Sequence, residues 1–195
     1  MKVNVKIKRL HPDAVIPKYA HEGDAGFDLV AIEDTIIEPG ETKLVRTGLA
    51  FELPSGYELQ VRPRSGISLK TKLRVVLGTV DSGFRGEIGV IVDNIAPKID
   101  VQSYHFETID GGITGIYDEN MKQLSAKVGT YIIRKGDRIA QAVIKPVEQA
   151  HFVEVDELSD SERGEGGFGS SGVKFQLDEL LSKITPENRH EEIDM

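Results

Sequence analysis

Five stretches of the chain carry residue types that could do chemistry. Arg62-Pro63-Arg64-Ser65-Gly66 sets two guanidinium groups, a hydroxyl and a glycine amide side by side, a donor set that suits phosphate oxygens. Alone, that string reads first as a solvated edge strand running into a turn. Gly78-Thr79-Val80-Asp81-Ser82-Gly83-Phe84-Arg85-Gly86-Glu87 has the pattern of a β-hairpin whose glycines let a ligand approach the backbone. Asp81 beside a phosphate could orient or deprotonate a water, although Asp81-Ser82-Gly83 is also an ordinary turn. Asp28, between Phe27 and Leu29, could hold a metal-bound water, since Mg²⁺ often takes one or two carboxylates plus substrate phosphates. Asp24 or Asp28 could equally serve a nearby turn. In Lys135-Gly136-Asp137-Arg138-Ile139-Ala140-Gln141 a turn leads into a strand, with Gln141 a candidate amide donor and Asp137 with Arg138 a candidate structural pair. The stretch 163–172 holds five glycines in ten residues. It lacks the Lys-Ser/Thr ending of a P-loop, so it is either a flexible linker or a mobile lid bearing Arg163 and Phe168.

The elements that must position these residues are strands. Val3, Val5 and Ile7 alternate with polar residues, as do Tyr57, Leu59 and Val61, then Ile88, Val90 and Val92, then Ala140, Ala142 and Ile144. Gly- and Pro-containing turns separate the runs, the pattern of a sandwich or barrel. A short helix or turn is expected over 69–75. A hairpin of 101–106 with 113–117 across Asp110-Gly111-Gly112 is expected inside a looser segment, 95–129, that leaves the core as an insert. The division is a β-barrel domain over 1–158, a glycine-rich arm over 159–172 and a tail over 173–195. In that tail Leu177, Leu180, Leu181 and Ile184 have the spacing of an amphipathic helix.

Composition narrows the class. The 195 residues carry a net charge of −8, with a pI near 5.2, which argues against a duplex nucleic-acid binder. Yet 59–90 holds six basic residues against two acidic ones, while 154–162 holds five acids and no base. The absence of cysteine removes disulfides, thiolate metal sites and a cysteine nucleophile. No apolar run approaches the roughly 18 residues of a membrane span, and the first residues lack an apolar signal region. A cytoplasmic, soluble protein is expected.

In their order, the stretches 24–29, 62–66, 78–87, 135–141 and 163–172 resemble the five motifs of the trimeric deoxyuridine triphosphate nucleotidohydrolases (dUTPases). The segment between the third and fourth resembles the insert of dUTPases from phages of Gram-positive bacteria, which would place the protein in a host cytoplasm. The resemblance implies an all-β, jelly-roll-like distorted β-barrel, a homotrimer with sites at subunit boundaries, and a flexible C-terminal arm. It implies hydrolysis of dUTP to dUMP and pyrophosphate with Mg²⁺, limiting uracil incorporation into DNA and supplying dUMP for dTMP synthesis. Asp81 would activate the water that attacks the α-phosphorus. Arg64, Ser65, Gly66 and Gln141 match phosphate-binding positions, and Asp28 a position reaching the metal through water. Main-chain groups of Leu77, Gly78, Thr79 and Val80, with the strand from Gly86, would read uracil. Phe84, where tyrosine is usual, would pack on the deoxyribose, and Gly83 stands where an acidic residue is common. Arg163 would reach the γ-phosphate and Phe168 stack on the base, with Gly169 and Ser170 as further donors. Two other readings are a dCTP deaminase-like enzyme of the same superfamily and a regulatory protein that binds a repressor partner through 95–129 or the tail. Asp81 together with the complete fifth motif favours hydrolysis.

Overall fold

Alternation of apolar and polar residues decides most of the strands. In 57–62, Leu59 and Val61 are buried while Glu58, Gln60 and Arg62 between them face outward; in 89–94, Val90 and Val92 are buried while Ile91 is not. The structure, a computed structural model, describes residues 3–167. Phe168, Gly169, Ser170 and the tail 173–195 with its expected helix lie outside the described residues.

In chain order the first strands are β1 (Lys6–Arg9), β2 (Phe27–Val30), β3 (Thr35–Ile37), β4 (Thr42–Arg46), β5 (Leu49–Glu52) and β6 (Tyr57–Arg62). After the helix α1 (Ser65–Lys70) come β7 (Leu73–Val75), β8 (Gly78–Asp81) and β9 (Gly89–Asn94), then β10 (Gln102–Ser103), β11 (Phe106–Thr108), β12 (Ile113–Thr114) and β13 (Ala126–Lys127). β14 (Tyr131–Ile133) and β15 (Arg138–Pro146) complete the set. Sheets ordered β2-β15-β6-β8, β12-β11-β14-β3 and β4-β9-β7, with the pairs β1-β5 and β10-β13, build the expected all-β, jelly-roll-like barrel. Leu29, Ile37, Val45, Leu49, Leu59, Leu73, Val90 and Ile139 fill its core. The chain divides into a unit ending at Ala150 and a second beginning at His151. No described helix is long and apolar enough to cross a membrane.

Four local expectations are corrected. The helix forms at Ser65–Lys70, earlier than 69–75, and 73–75 is strand. Pro63 stops β6, because it has no N–H to give a ladder, and Arg64 starts the helix from an extended conformation (φ −89°, ψ 131°). Thr71 ends the helix, its hydroxyl (2.7 Å) and its N–H (3.0 Å) both donating to the carbonyl of Ile67. The insert hairpin is shorter than expected: only 106–108 pairs with 113–114, while Gln102–Ser103 pairs with β13 and Tyr117 bridges Gln123. The insert is also no mere excursion, since β11 adds parallel to β14 and Phe106, Ala126 and Ile132 form a second small core. Finally, the alternation in β15 breaks at a bulge between Arg138 and Ala140, so Ile139 and Ala140 are both buried.

Asn94 joins these layers. Its amide is 1% exposed and donates to the carbonyls of Ile37 (2.9 Å) and Gly129 (2.8 Å), while its Oδ1 accepts the N–H of Ala96 (3.0 Å). Truncation strands two buried backbone groups and a half-buried one at once. Asn94→Ala is expected to cost about 2–4 kcal/mol, read as a lower denaturant midpoint at fixed protomer concentration. A midpoint unchanged from the parent would show that the amide does not tie the sheets together.

Candidate active site

β15 lies between β2 and β6, and its register sets three rows on the outward face of the sheet. Gln141 is opposite both Asp28 and Arg62; Val143 is opposite Gln60, which faces Thr79; Lys145 is opposite Glu58, which faces Asp81. Along β6 the outward side chains are chained head to tail. Arg62 donates from Nε (3.0 Å) and Nη2 (2.6 Å) to Gln60 Oε1, and Gln60 Nε2 donates to Glu58 Oε1 (2.6 Å).

At one end of this face Asp28 sits between two arginines. Arg64 Nε is 3.0 Å from its Oδ1 and Arg138 Nη1 is 3.2 Å from its Oδ2. Only Arg138 aims an N–H at the carboxylate; Oδ1 is buried and accepts no hydrogen bond among the described residues. Arg64 is held in turn by donating from Nη1 to the carbonyl of Arg138 (2.7 Å). The expected Asp137–Arg138 pair does not form: Arg138 goes to Asp28, and Asp137 accepts the N–H of Arg134 (2.8 Å) inside its own turn. Burial pushes the Asp137 carboxyl above its usual range, with Asp110 and Asp34 adding to the effect. Asp24 serves a turn, accepting the N–H of His21 (2.7 Å). Ser65 and Gly66 open α1, whose first turn has neither a side-chain cap nor an acidic residue. A polar cavity of about 570 Å³ opens between Arg64, Arg134 and Arg138 on one side and Thr108, Asp110 and Gly112 of the insert hairpin on the other.

At the other end, β8 is the edge strand of its sheet, and its free edge has no strand partner among the described residues. The N–H of Phe84 donates to the carbonyl of Asp81 (3.1 Å), closing the turn that follows β8. The Phe84 ring, 46% exposed, lies over Gly86, where an added Cβ would stand 2.5 Å from its Cζ. Asp81, Phe84, Thr79, Val80 and Gly78 line a pocket of about 270 Å³ with Val61, Glu87, Ile88, Gly89 and Ile91. Leu77 is 63% exposed just before β8. Arg163 lies in the second unit, where its Nε donates to the carbonyl of Gly166 (2.9 Å). The described residues thus bring Asp28, Arg64, Arg138 and Gln141 together at one place, and Asp81 with Phe84 at another.

Glu87 was not among the residues singled out by sequence, nor was Arg138 as the partner of Asp28. Glu87 fixes the base of the hairpin. Its carboxylate accepts from Arg46 Nε (3.2 Å) and Nη2 (3.0 Å) and from the N–H of Gly48 (2.8 Å). Gly48 has φ +66°, and a side chain there would press on Ala14, His11 and Ile32. The signal was present in the acid that follows Arg85-Gly86, but its partners are about 40 residues away and no spacing rule reaches them.

The dUTPase family model matches residues 13–105 and 116–172. The chain belongs to the dUTPase family. It is 47% identical over 172 residues to the deoxyuridine 5′-triphosphate nucleotidohydrolase of Thermobifida fusca, covering 87% of this chain and 79% of that one. To the enzyme of the same description from Nautilia profundicola it is 45% identical, covering 87% and 99%. The dUTPase of Staphylococcus bacteriophage 80alpha, solved with dUPNHPP and described as one of the phage dUTPases that control transfer of virulence genes, superposes with a TM-score of 0.81. There the identity is 37%, with 87% of this chain and 99% of that one covered. The residues the dUTPase model passes over, 106–115, coincide with the β11–β12 hairpin of the insert.

Burial opposes the charge on Glu87, but the Arg46 hydrogen bonds, the Gly48 amide and the Arg46 charge outweigh it, so its carboxyl titrates below the usual range. A carboxylate lowered in the folded state stabilises it above the unfolded-state pKa, and that contribution fades as pH falls through the folded value. Glu87→Gln is therefore expected to lower the thermal midpoint at pH 7 and to converge on the parent towards pH 3. Parallel midpoint-against-pH curves would mean the charge on Glu87 is not what holds the hairpin base.

Proposed function

We propose that the protein hydrolyses dUTP to dUMP and pyrophosphate, with Asp81 as the general base for a water that attacks the α-phosphorus. The observation that carries this reading is the pocket in which Asp81 and Phe84 stand beside the unpaired edge of β8. A fixed backbone edge offers donors and acceptors to a base, and a base with the wrong pattern leaves them unpaired, which is costly. That suits selection of uracil over cytosine by Leu77, Gly78, Thr79 and Val80. Phe84 over Gly86 offers an apolar wall for the sugar, with no hydroxyl to bond it.

Arg64, Ser65, Gly66 and Gln141 are the proposed phosphate ligands, joined by Arg163, Phe168, Gly169 and Ser170 from the arm. Asp81 stands opposite Glu58, four residues before Arg62, which puts it about 13 Å along the sheet from that arginine. The two ends therefore cannot meet on one phosphate within a single copy. A complete site needs Asp81 from one copy and Arg64 from another, which supports a homotrimer with sites at its boundaries.

The donor set is compatible with Mg²⁺ carried on the substrate. Among the described residues no three acidic or histidine side chains cluster as a metal cage, but Asp28 Oδ1 is buried with no hydrogen bond to accept. Bound to the triphosphate, Mg²⁺ would neutralise phosphate oxygens, with Asp28 holding it through a water. The exposed Tyr104, Ile113, Tyr117 and Met121 of the insert favour a second, compatible role as a docking surface for a regulatory protein.

Pyrophosphate release should be fastest with dUTP and far slower with UTP, dCTP and dTTP; comparable turnover of UTP would remove Phe84 from sugar selection. Asp81→Asn should bind dUpNHpp yet lose turnover by roughly 10²- to 10⁴-fold. Mixing the inactive variants Asp81→Asn and Arg64→Ala, with subunit exchange, should restore a fraction of the activity. A mixture as inactive as its parts would place both residues in one copy's site.

A further inference from the structure

α1 has only six residues, too short to hold a position by its own hydrogen bonds. Its first turn, with Ser65 and Gly66, has no side-chain cap. Its last turn is held from outside. The N–H of Lys72, two residues past the helix, donates to the hydroxyl of Tyr131 (3.0 Å) on β14. Tyr131 is 2% exposed and stands opposite Glu107 of β11, whose carboxylate faces its phenol. Burial and Glu107 push that phenol up to about 12, so at neutral pH it stays protonated. The tip of the β11–β12 hairpin lies beside the helix end: Gly111, at φ +87°, faces Lys70 at a distance where an added Cβ would reach ordinary van der Waals contact with Lys70 Cβ (3.4 Å) and O (3.5 Å). The tip is itself stiffened by Asp110, which accepts from the Thr108 hydroxyl (2.5 Å) and the Gly112 N–H (3.1 Å). Around these contacts the seam is open, a cavity of about 420 Å³ lined by Leu69, Lys72, Ile99, Glu107, Val128 and Tyr131 among others. Besides these, α1 is anchored by Ile67, buried in the main core, and by the carbonyl of Lys72, which accepts the N–H of Ile95 (3.0 Å).

We propose that the β11–β12 hairpin and Tyr131 set the position of α1, making Tyr131 a positioning residue for binding the triphosphate through Ser65 and Gly66. The hairpin is the part of the chain the dUTPase model passes over, so this insert has become a prop for the phosphate-binding end of the site. The inference rests on the proposed role of Ser65 and Gly66 as phosphate ligands.

The test compares two ligands on the full chain. Tyr131→Phe removes one hydroxyl and keeps the ring; Gly111→Ala strains the hairpin tip from the insert side. Each should weaken dUpNHpp by about 3- to 10-fold, the scale of one lost hydrogen bond, and raise KM for dUTP while kcat stays within about twofold of the parent. Deoxyuridine, which carries no phosphate, should bind each variant as it binds the parent. Equal weakening of both ligands, or of neither, would overturn the proposal, because a merely structural role does not sort ligands by their phosphates. If Tyr131→Phe fails to fold, Gly111→Ala carries the same expectation alone. A parent protein that binds no dUpNHpp at all would instead sink the function reading, and this inference with it.

Discussion

The nine residues of β15 pair with β2 through Arg138–Ala142 and with β6 through Gln141–Pro146, meeting at Gln141 and Ala142, and the rest of the site hangs on that double register. Side chains alternate across a strand, so a slip of one residue would send Gln141 into the core and Ala142 out to solvent. Two features pin it. Ala140 and Ala142 are fully buried, where no polar residue of β15 could replace them without a partner. The bulge after Arg138 inserts one residue and lets Arg138 reach Asp28 while Ile139 remains in the core. Function and folding thus share one constraint: the contact that sets the register also gathers Asp28, Gln141 and Arg62 in a row.

Much of this was legible before any coordinates. Strand alternation marked β6, β9 and β15, and the motif strings marked Asp28, Arg64, Asp81, Phe84 and Gln141. What stayed hidden was who pairs with whom. The fold spends much of the basic excess of 59–90 locally. Arg74 donates to the carbonyls of Thr71 and Leu73, Arg85 to those of Ser82 and Phe84, and Arg62 to Gln60. Charge counts cannot separate a guanidinium that reaches a ligand from one folded onto its own turn. Asp137 and Arg138, adjacent in sequence, found partners elsewhere: Asp137 closes its own turn on the N–H of Arg134, while Arg138, the first residue of β15, reaches across to Asp28 on β2. The helix was misplaced because Thr71, which ends it, acts through a side-chain hydrogen bond that periodicity does not register.

At the proposed phosphate site of this acidic protein, Asp28 sits between two arginines. A lone pair of arginines at the barrel surface would repel each other and spread; a carboxylate between them holds both close. Its Oδ1 lies 3.0 Å from Arg64 Nε without accepting a hydrogen bond among the described residues, so one carboxylate faces two guanidinium groups and the cluster keeps a net positive charge.

The placement of β15 also orders events in time. Among the described residues β2 pairs with no other strand, and Asp28 lies 110 residues before its partner Arg138. At synthesis rates of about 5–20 residues per second, β2 waits roughly 5 to 20 s on the ribosome with both edges open. The insert is made during that wait, and β11 can join β14 only as the wait ends. β2 therefore joins its sheet late, after β1-β5, β4-β9-β7 and β6-β8 have all been made, and the proposed nucleotide site is among the last parts of the protein to form.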